Sequence, residues 1–339
     1  MNQVLIIAEI GVNHNCDIKL AKKMIAAAAE CKVDVIKFQT AIPELVQIES
    51  APKAVYQSMS TGFDNSAMEM TKSLHFPHEI FFDLKNEVEK YKCEFLSTAF
   101  DMKSLDFLHS LNPTRYKIPS GEITNLPYLR KIGSFGRDVI LSSGVSSEEE
   151  VVRAFEVLIA CGLEKHQITV LQCTTAYPTP LQDANVLAMV TLQKATGGKM
   201  GLSDHTASGS ASLAAVALGA VVIEKHFTTD RTLPGPDQNA SLDTEGFANL
   251  VRQIREIEIV LGDGRKVVSP SEKENQSVIR RGLYASRDLE AGVVLSMQDL
   301  IVLRPQTSVS PMEIDQILGG HLNVPIKKHE PVDWSQIEK

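Results

Sequence analysis

Short runs of apolar, largely β-branched residues alternate with longer segments of helical period from residue 4 to about residue 261. The pattern predicts strands at 4–9, 33–38, 93–97, 114–118, 138–142, 168–172, 199–202 and 221–225. Helix-length segments follow them, among them Ile18 to Cys31, Ser147 to Cys161, Ser208 to Leu218 and Thr244 to Leu261. Ser146-Ser147-Glu148-Glu149-Glu150 reads as an N-cap with an acidic first turn, and Ser208-Gly209-Ser210 opens an Ala-rich helix. Eight strand–helix repeats predict an α/β fold of the closed (β/α)8 TIM-barrel type rather than an open doubly wound sheet.

Two stretches break the rhythm. The insert from Ala41 to about Phe76 carries Pro43, Pro52, Gly62 and several serines, and a connection this long in a compact domain is expected to be a functional loop or lid. A second break runs from Gly262 to Asn275. After it the pattern turns β-rich: Leu283 to Ser286, Val293 to Leu295 and Leu300 to Leu303 read as short strands, and Asp288 to Gly292 as a turn. The expected organisation is a barrel over 1–262, a linker over 263–282 and a small β-rich domain over 283–339.

Composition narrows the function. The 339 residues are 43% hydrophobic and 22% charged, which fits a globular chain with a large core. The net charge of -8 comes with no basic stripe, which argues against a nucleic-acid partner. No run approaches the ~18 apolar residues of a membrane span. The apolar start, Val4 to Ala8, is too short for a signal peptide, so a cytoplasmic location is expected. Five cysteines, an odd count without CxxC spacing, point to reduced thiols rather than a disulfide or zinc framework.

In a barrel the chemistry sits at the C-terminal ends of the strands. Those ends are polar here: Glu9 on strand one, Lys37 and Gln39 on two, Thr98 on three, Lys117 with Ser120 and Glu122 on four. Ser142 follows on five, Cys173 to Tyr177 on six, Ser203 and His205 on seven, Glu224 and His226 on eight. Lysines are seldom buried. Two at strand ends, each near hydroxyls or an amide, read as counter-charges for an anion. Ser120-Gly121 and Ser142-Ser143-Gly144 supply hydroxyls and accessible backbone N–H groups of the kind that cradle phosphate. His205 and His226 lie 21 residues apart with one helix-sized segment between. On adjacent strands, roughly 4.8 Å apart, both rings can hold one ion, and the spacing leaves Mn²⁺, Mg²⁺, Co²⁺ and Zn²⁺ open. The residues thus predict a phosphate or phosphoenol site beside a metal site. Pro234-Gly235-Pro236 stiffens the loop after strand eight, and Asp237 reaches the mouth if that loop folds back.

These stretches together resemble the sialic acid synthase family. The matching segments are Ala8-Glu9-Ile10-Gly11-Val12-Asn13-His14, Ile36-Lys37-Phe38-Gln39-Thr40, Tyr116-Lys117-Ile118-Pro119-Ser120-Gly121-Glu122 and Leu141-Ser142-Ser143-Gly144. To these add Gln172 to Pro178, Gly201 to His205, Glu224 to Phe227 and Pro234 to Asp237, eight segments in order. The tail, including Leu303-Arg304-Pro305, resembles that family's antifreeze-like domain. Thr175 departs from relatives that carry Asn after Cys173-Thr174.

The resemblance implies condensation of phosphoenolpyruvate with N-acetylmannosamine, or a close analogue, and water to give N-acetylneuraminate and phosphate. It implies that Lys37, Thr98, Lys117, Ser120, Ser142 and Ser203 bind phosphoenolpyruvate, and that His205 and His226 hold a divalent metal, Mn²⁺ or Mg²⁺. Gln39, Tyr177 and Asp237 would contact the N-acyl amino sugar, with Arg304 reaching it from the partner of a domain-swapped homodimer. Glu9, Glu122 and Glu224 would be the catalytic carboxylates. A legionaminate-type synthase, using a 6-deoxy-2,4-diacetamido mannose-type sugar, is the alternative within the family. A Schiff-base barrel aldolase and a carbohydrate-binding barrel without activity are the alternatives outside it.

Overall fold

A computed structural model describes residues 3–54, 57–58 and 66–338. They form two compact units, Met1–Asp263 and Gly264–Lys339. The first is a parallel barrel of eight strands: β1 (Leu5–Gly11), β2 (Val35–Thr40), β3 (Glu94–Ala99), β4 (Arg115–Ile118), β5 (Asp138–Ser142), β6 (Ile168–Cys173), β7 (Lys199–Asp204) and β8 (Val222–His226). The hydrogen-bonded order is β3-β2-β1-β8-β7-β6-β5-β4, and β3 packs beside β4 to bring the cylinder almost to closure.

Alternation along each strand divides the core in two. Ile6, Ala8, Ile10, Ile36, Phe38, Ile118 and Leu141 belong to the large cluster shared with the helices. At the alternate positions, Ile7, Val35, Leu96, Ile140, Leu171 and Val222 form a separate cluster in the lumen. Side chains two residues further along a strand share the same face. The next lumen layer is therefore Glu9, Lys37, Thr98, Lys117, Ser142, Cys173, Ser203 and Glu224, one residue from each strand. The apolar layer is the floor, and the polar layer stands on it. Gly201, on β7, keeps this floor packed: a Cβ there would lie 2.6 Å from Leu171 Cδ2 and would also strike the Val222 carbonyl.

The predicted helices form with local signals that explain their starts. Helix Glu148–Ala160 has Ser147 as N-cap in a capping box with Glu150. Helix Ile18–Glu30 is capped by Asp17, and helix Ser210–Ala217 begins after Gly209. Thr244–Val260 closes the barrel. The insert between Ala41 and Phe76 contains helices Pro43–Val46 and Ala67–Leu74, while its residues 55, 56 and 59–65 lie outside the described residues. None of the described helices is long and apolar enough to cross a membrane.

Two expectations for the tail are corrected. The segment read as linker contains helix Pro270–Ile279, started by a Ser269–Glu272 capping box and Pro270 in its first turn. Val293 to Leu295 does not extend into a strand: its backbone bonds residues 319–322, but only as an isolated bridge of Val294 to His321. The second unit otherwise contains β9 (Gly282–Ala285) paired with β10 (Leu300–Leu303), and a short pair, His321–Leu322 with Ile337–Glu338. Its own core includes Leu283, Leu289, Leu295, Ile317, Leu322 and Val332.

Candidate active site

The polar layer is a network of opposite charges. Lys37 Nζ lies 2.7 Å from Glu9 Oε2 and 3.6 Å from Glu224 Oε2, and it donates to Thr98 Oγ1 at 3.2 Å. Lys117 Nζ lies 3.4 Å from Glu224 Oε1 and donates to Ser142 Oγ at 2.7 Å. Ser203 Oγ donates to Glu224 Oε1 at 2.9 Å. All of these residues are buried. Two ammonium and two carboxylate groups in low dielectric are tolerated because each faces an opposite charge.

Environment separates the two carboxyls. Burial pushes Glu9 up to about 7, with Glu224 adding to the shift and Lys37 opposing it. Burial acts on Glu224 in the same direction, but Lys117, Lys37 and the Ser203 hydroxyl outweigh it and hold this carboxyl at about 2. Glu9 can therefore exchange a proton near neutrality, whereas Glu224 stays an anion. Burial alone would depress Lys37, yet Glu224 and Glu9 keep it above its ordinary value. Lys117 is lowered, burial being the main cause.

Beside this network stand the two imidazoles. Their ring centroids are 5.3 Å apart, and the Tyr177 ring lies 4.2 Å from that of His205 and 5.5 Å from that of His226. His205 Nδ1 meets the Thr174 carbonyl at 2.8 Å, a contact that requires its N–H. In the neutral ring the lone pair is then on Nε2. His226 Nδ1 is buried without a hydrogen-bond partner, and Asp237 Oδ2 is 3.8 Å from it. Burial, His205 and Lys37 drive His226 well below the ordinary imidazole range, so it is neutral. Burial alone would lower His205, but Cys173, the Thr174 carbonyl and Glu224 keep it above the ordinary imidazole value. The neutral His226 and a deprotonated His205 Nε2 would suit a divalent ion, the carbonyl behind His205 being the usual kind of orienting partner. Among the described residues no set of three His, Cys, Asp or Glu forms a complete cage, so water and substrate would fill the other positions.

The cavity over the polar layer is lined by most residues singled out from the sequence. Glu9, Lys37, Gln39, Thr98, Lys117, Ser120, Ser142, Tyr177, Ser203, His205, Glu224 and His226 all face it. Gln39 Nε2 donates to Glu9 Oε1 at 3.1 Å, and Ser120 Oγ accepts from Gly144 N at 2.9 Å. Asp237 stands behind His226, and burial raises its carboxyl to about 6. Glu122 does not line the cavity. Its Oε2 accepts from Asn125 Nδ2 at 2.5 Å, in the turn after β4. Arg304 follows β10 in the second unit. His14 is buried against Phe76, ring centroids 4.3 Å apart, and burial lowers it to about 3; it supports the first loop and does not face the cavity.

Two features escaped the sequence reading. Cys173, placed at the end of strand six without a role of its own, is part of the cavity wall, and its Sγ lies 3.7 Å from Ser120 Oγ. Strand alternation was the available signal, since Cys173 is two residues beyond the floor residue Leu171. The second is the buried pair Asp204–Lys225 behind the histidines. Nothing in the one-dimensional pattern distinguishes it from rim charges.

Residues 24–266 match the NeuB family and residues 280–338 the SAF domain. The chain is 43% identical to N,N'-diacetyllegionaminic acid synthase of Campylobacter jejuni over 94% of this chain and 96% of that one. The synthase of the same name from Legionella pneumophila is 41% identical over 98% of this chain and 94% of its own. A crystal structure of N-acetylneuraminic acid synthetase from Leptospira borgpetersenii superposes with a TM-score of 0.70 at 34% identity, covering 81% of this chain and 90% of that one. With barrel, strand-end polar layer and SAF domain all accounted for, the chain belongs to the NeuB family, the family of the sialic acid synthases.

Proposed function

We propose that the protein condenses phosphoenolpyruvate and water with a 6-deoxy-2,4-diacetamido mannose-type sugar, giving a legionaminate-type nonulosonate and phosphate. The carrying observation is the similarity to two N,N'-diacetyllegionaminic acid synthases at 43% and 41% identity, against 34% for the N-acetylneuraminic acid synthetase. That difference reverses the order of acceptors expected from the sequence, where N-acetylmannosamine came first.

In this reading Lys37 and Lys117 bind the phosphate and carboxylate of phosphoenolpyruvate, and Thr98, Ser120, Ser142 and Ser203 donate to their oxygens. A charge-assisted hydrogen bond to each oxyanion is worth about 1.5–3 kcal/mol. Carbon 3 of phosphoenolpyruvate attacks the aldehyde carbon of the open-chain sugar. Carbon 2 then gains cationic character, water adds there, and the tetrahedral intermediate expels phosphate by C–O cleavage. Glu224, anionic between the two lysines, stabilises the positive charge at carbon 2. Glu9, with its carboxyl near 7, donates or accepts the proton that moves on the sugar or the water. Glu122, turned to Asn125, takes no direct part.

His205 and His226 would hold the divalent ion, Mn²⁺ or Mg²⁺, which supplies Lewis-acid polarisation of the sugar carbonyl when bound. Tyr177, Gln39 and Asp237 would orient the sugar on the histidine side. Arg304 as an N-acyl contact from the partner subunit of a domain-swapped homodimer belongs to the same proposal.

The test is phosphate release from phosphoenolpyruvate with each acceptor, with Mn²⁺ and with a chelator. The expected result is a kcat/KM at least tenfold higher for the diacetamido sugar and loss of turnover in chelator. Equal rates, or a preference for N-acetylmannosamine, overturn the acceptor assignment. Borohydride trapping of a sugar on Lys117, whose amine burial makes easier to deprotonate, would replace the mechanism by Schiff-base chemistry.

A further inference from the structure

The wall of the barrel behind the two histidines carries a buried pair of opposite charges. Outward positions on β1 and β2 include the apolar Ala8, Ile10, Ile36 and Phe38, which pack against helices, and the uncharged Thr40, whose hydroxyl bonds Ser97 of β3. On β7 and β8 the outward positions next to the histidines are Asp204 and Lys225, which are cross-strand partners in the sheet register. Both are buried, Lys225 with 0% exposure.

A buried ammonium costs several kcal/mol unless every donor is met. The three acceptors around Lys225 Nζ are Asp204 Oδ2 at 3.2 Å, the Thr206 carbonyl at 2.7 Å and the Asp204 carbonyl at 3.3 Å. The two carbonyls flank His205 on either side. Asp204 Oδ1 accepts from the Thr206 backbone N–H at 2.8 Å and its hydroxyl at 2.7 Å, and Oδ2 accepts from Ser212 Oγ at 2.6 Å. Ser212 lies on helix Ser210–Ala217, which begins just beyond this loop. The side chain of the residue before His226 thus grips the backbone on both sides of His205. A hydrophobic pair of equal volume would join strand to helix but would remove the ammonium that both carbonyls share.

We infer that Lys225, with Asp204 and Ser212, is a positioning device that sets the separation and orientation of His205 and His226 for their divalent ion. The inference rests on the metal reading proposed above. Lys225 touches neither substrate nor ion; it acts through the backbone of residues 204–206. Removing it frees the His205 segment while Lys37 and Lys117, on β2 and β4, keep their own partners.

The experiment compares Lys225→Met and Ser212→Ala with the unmodified full chain. Mn²⁺ affinity is read from free Mn²⁺ by electron paramagnetic resonance, phosphoenolpyruvate affinity by equilibrium dialysis, and folding by circular dichroism and thermal melting. Loss of an orienting partner typically costs 10–100-fold in metal affinity. The expected result for Lys225→Met is Mn²⁺ binding weakened at least tenfold with phosphoenolpyruvate binding changed less than threefold. Ser212→Ala, which removes one hydroxyl, is expected to weaken Mn²⁺ about threefold. Unchanged Mn²⁺ affinity in a folded Lys225→Met protein overturns the inference, as does equal weakening of both ligands. If Lys225→Met does not fold, unchanged Mn²⁺ affinity in Ser212→Ala overturns it. Failure of the unmodified protein to bind Mn²⁺ is a different result, because it removes the metal reading itself.

Discussion

Lys37 on β2 and Glu9 on β1 are cross-strand partners with Nζ and Oε2 2.7 Å apart, and almost no solvent reaches either side chain. The pair does not neutralise itself in isolation. Glu224 shares Lys37 at 3.6 Å, so two carboxyls compete for one ammonium while Lys117 supports the second. The consequence is one carboxyl that titrates near neutrality and one that does not.

Glu9 gives the ligand-free protein a pH-dependent stability. Its folded-state value, about 7, is above the ordinary 4.5, so the folded chain holds this proton more tightly than the unfolded chain. The stabilisation is complete below about pH 4.5 and is lost as pH rises through about 7. Glu9→Gln has no such titration. Its melting temperature should therefore rise relative to the unmodified protein between pH 4.5 and 7, with a constant difference above that. A difference independent of pH in ligand-free melts would contradict the assignment.

Lys117→Met should weaken phosphoenolpyruvate binding by about 10–100-fold, the value of one charge-assisted contact to an oxyanion. It also leaves Glu224 with Lys37 alone, at 3.6 Å, so the carboxyl should titrate higher than its present value of about 2. Equilibrium dialysis with the folded variant checks the first effect. Retention of full affinity would show that the anion sits elsewhere.

Gly144 follows β5 where the backbone passes close to two hydroxyls. Its N–H donates to Ser120 Oγ at 2.9 Å, and a Cβ at this position would strike Thr175 Oγ1 and lie 2.7 Å from Ser120 Oγ. Gly144→Ala should raise the KM for phosphoenolpyruvate about tenfold, in line with a 1–3 kcal/mol overpacking cost. Thr175→Ala in the same chain should recover part of the loss by removing one of the clashing atoms. Steady-state kinetics of the two variants decides, and no change in Gly144→Ala would mean the loop shifts freely.

His226→Ala should abolish phosphate release and leave the circular dichroism spectrum intact, because β8 is held by β1 and β7 through the backbone. Full turnover of this variant in metal-stripped buffer would refute its role as a ligand.

Much of this site is legible in one dimension because strand alternation is a local property. Ile7 and Glu9, Val35 and Lys37, Leu96 and Thr98, and Val222 and Glu224 are each two residues apart, so an apolar floor carries a polar layer on the same face. The helix starts at Ser147 and Asp17 are equally local, because a cap depends on the few residues that follow it. Eight repeats of strand and helix then call for a parallel sheet covered on both faces, which the barrel provides.

What alternation cannot supply is the identity of the neighbour. Glu122 reads as a strand-end carboxylate, yet the turn after β4 directs it to Asn125. Val293 to Leu295 has strand composition, but its pairing with residues 319–322 stops at an isolated bridge. Lys225 has the same charge as Lys37 and Lys117, but it faces the helices and grips the backbone around His205. The protonation states of Glu9 and Glu224 likewise depend on which ammonium stands within 4 Å of each. The chain by itself determined the alternation, the caps and the residues of the polar layer, because these rest on interactions a few residues long. Pairing across strands and burial decided the rest, because charges held several ångströms apart in low dielectric answer to distances that only the closed barrel sets.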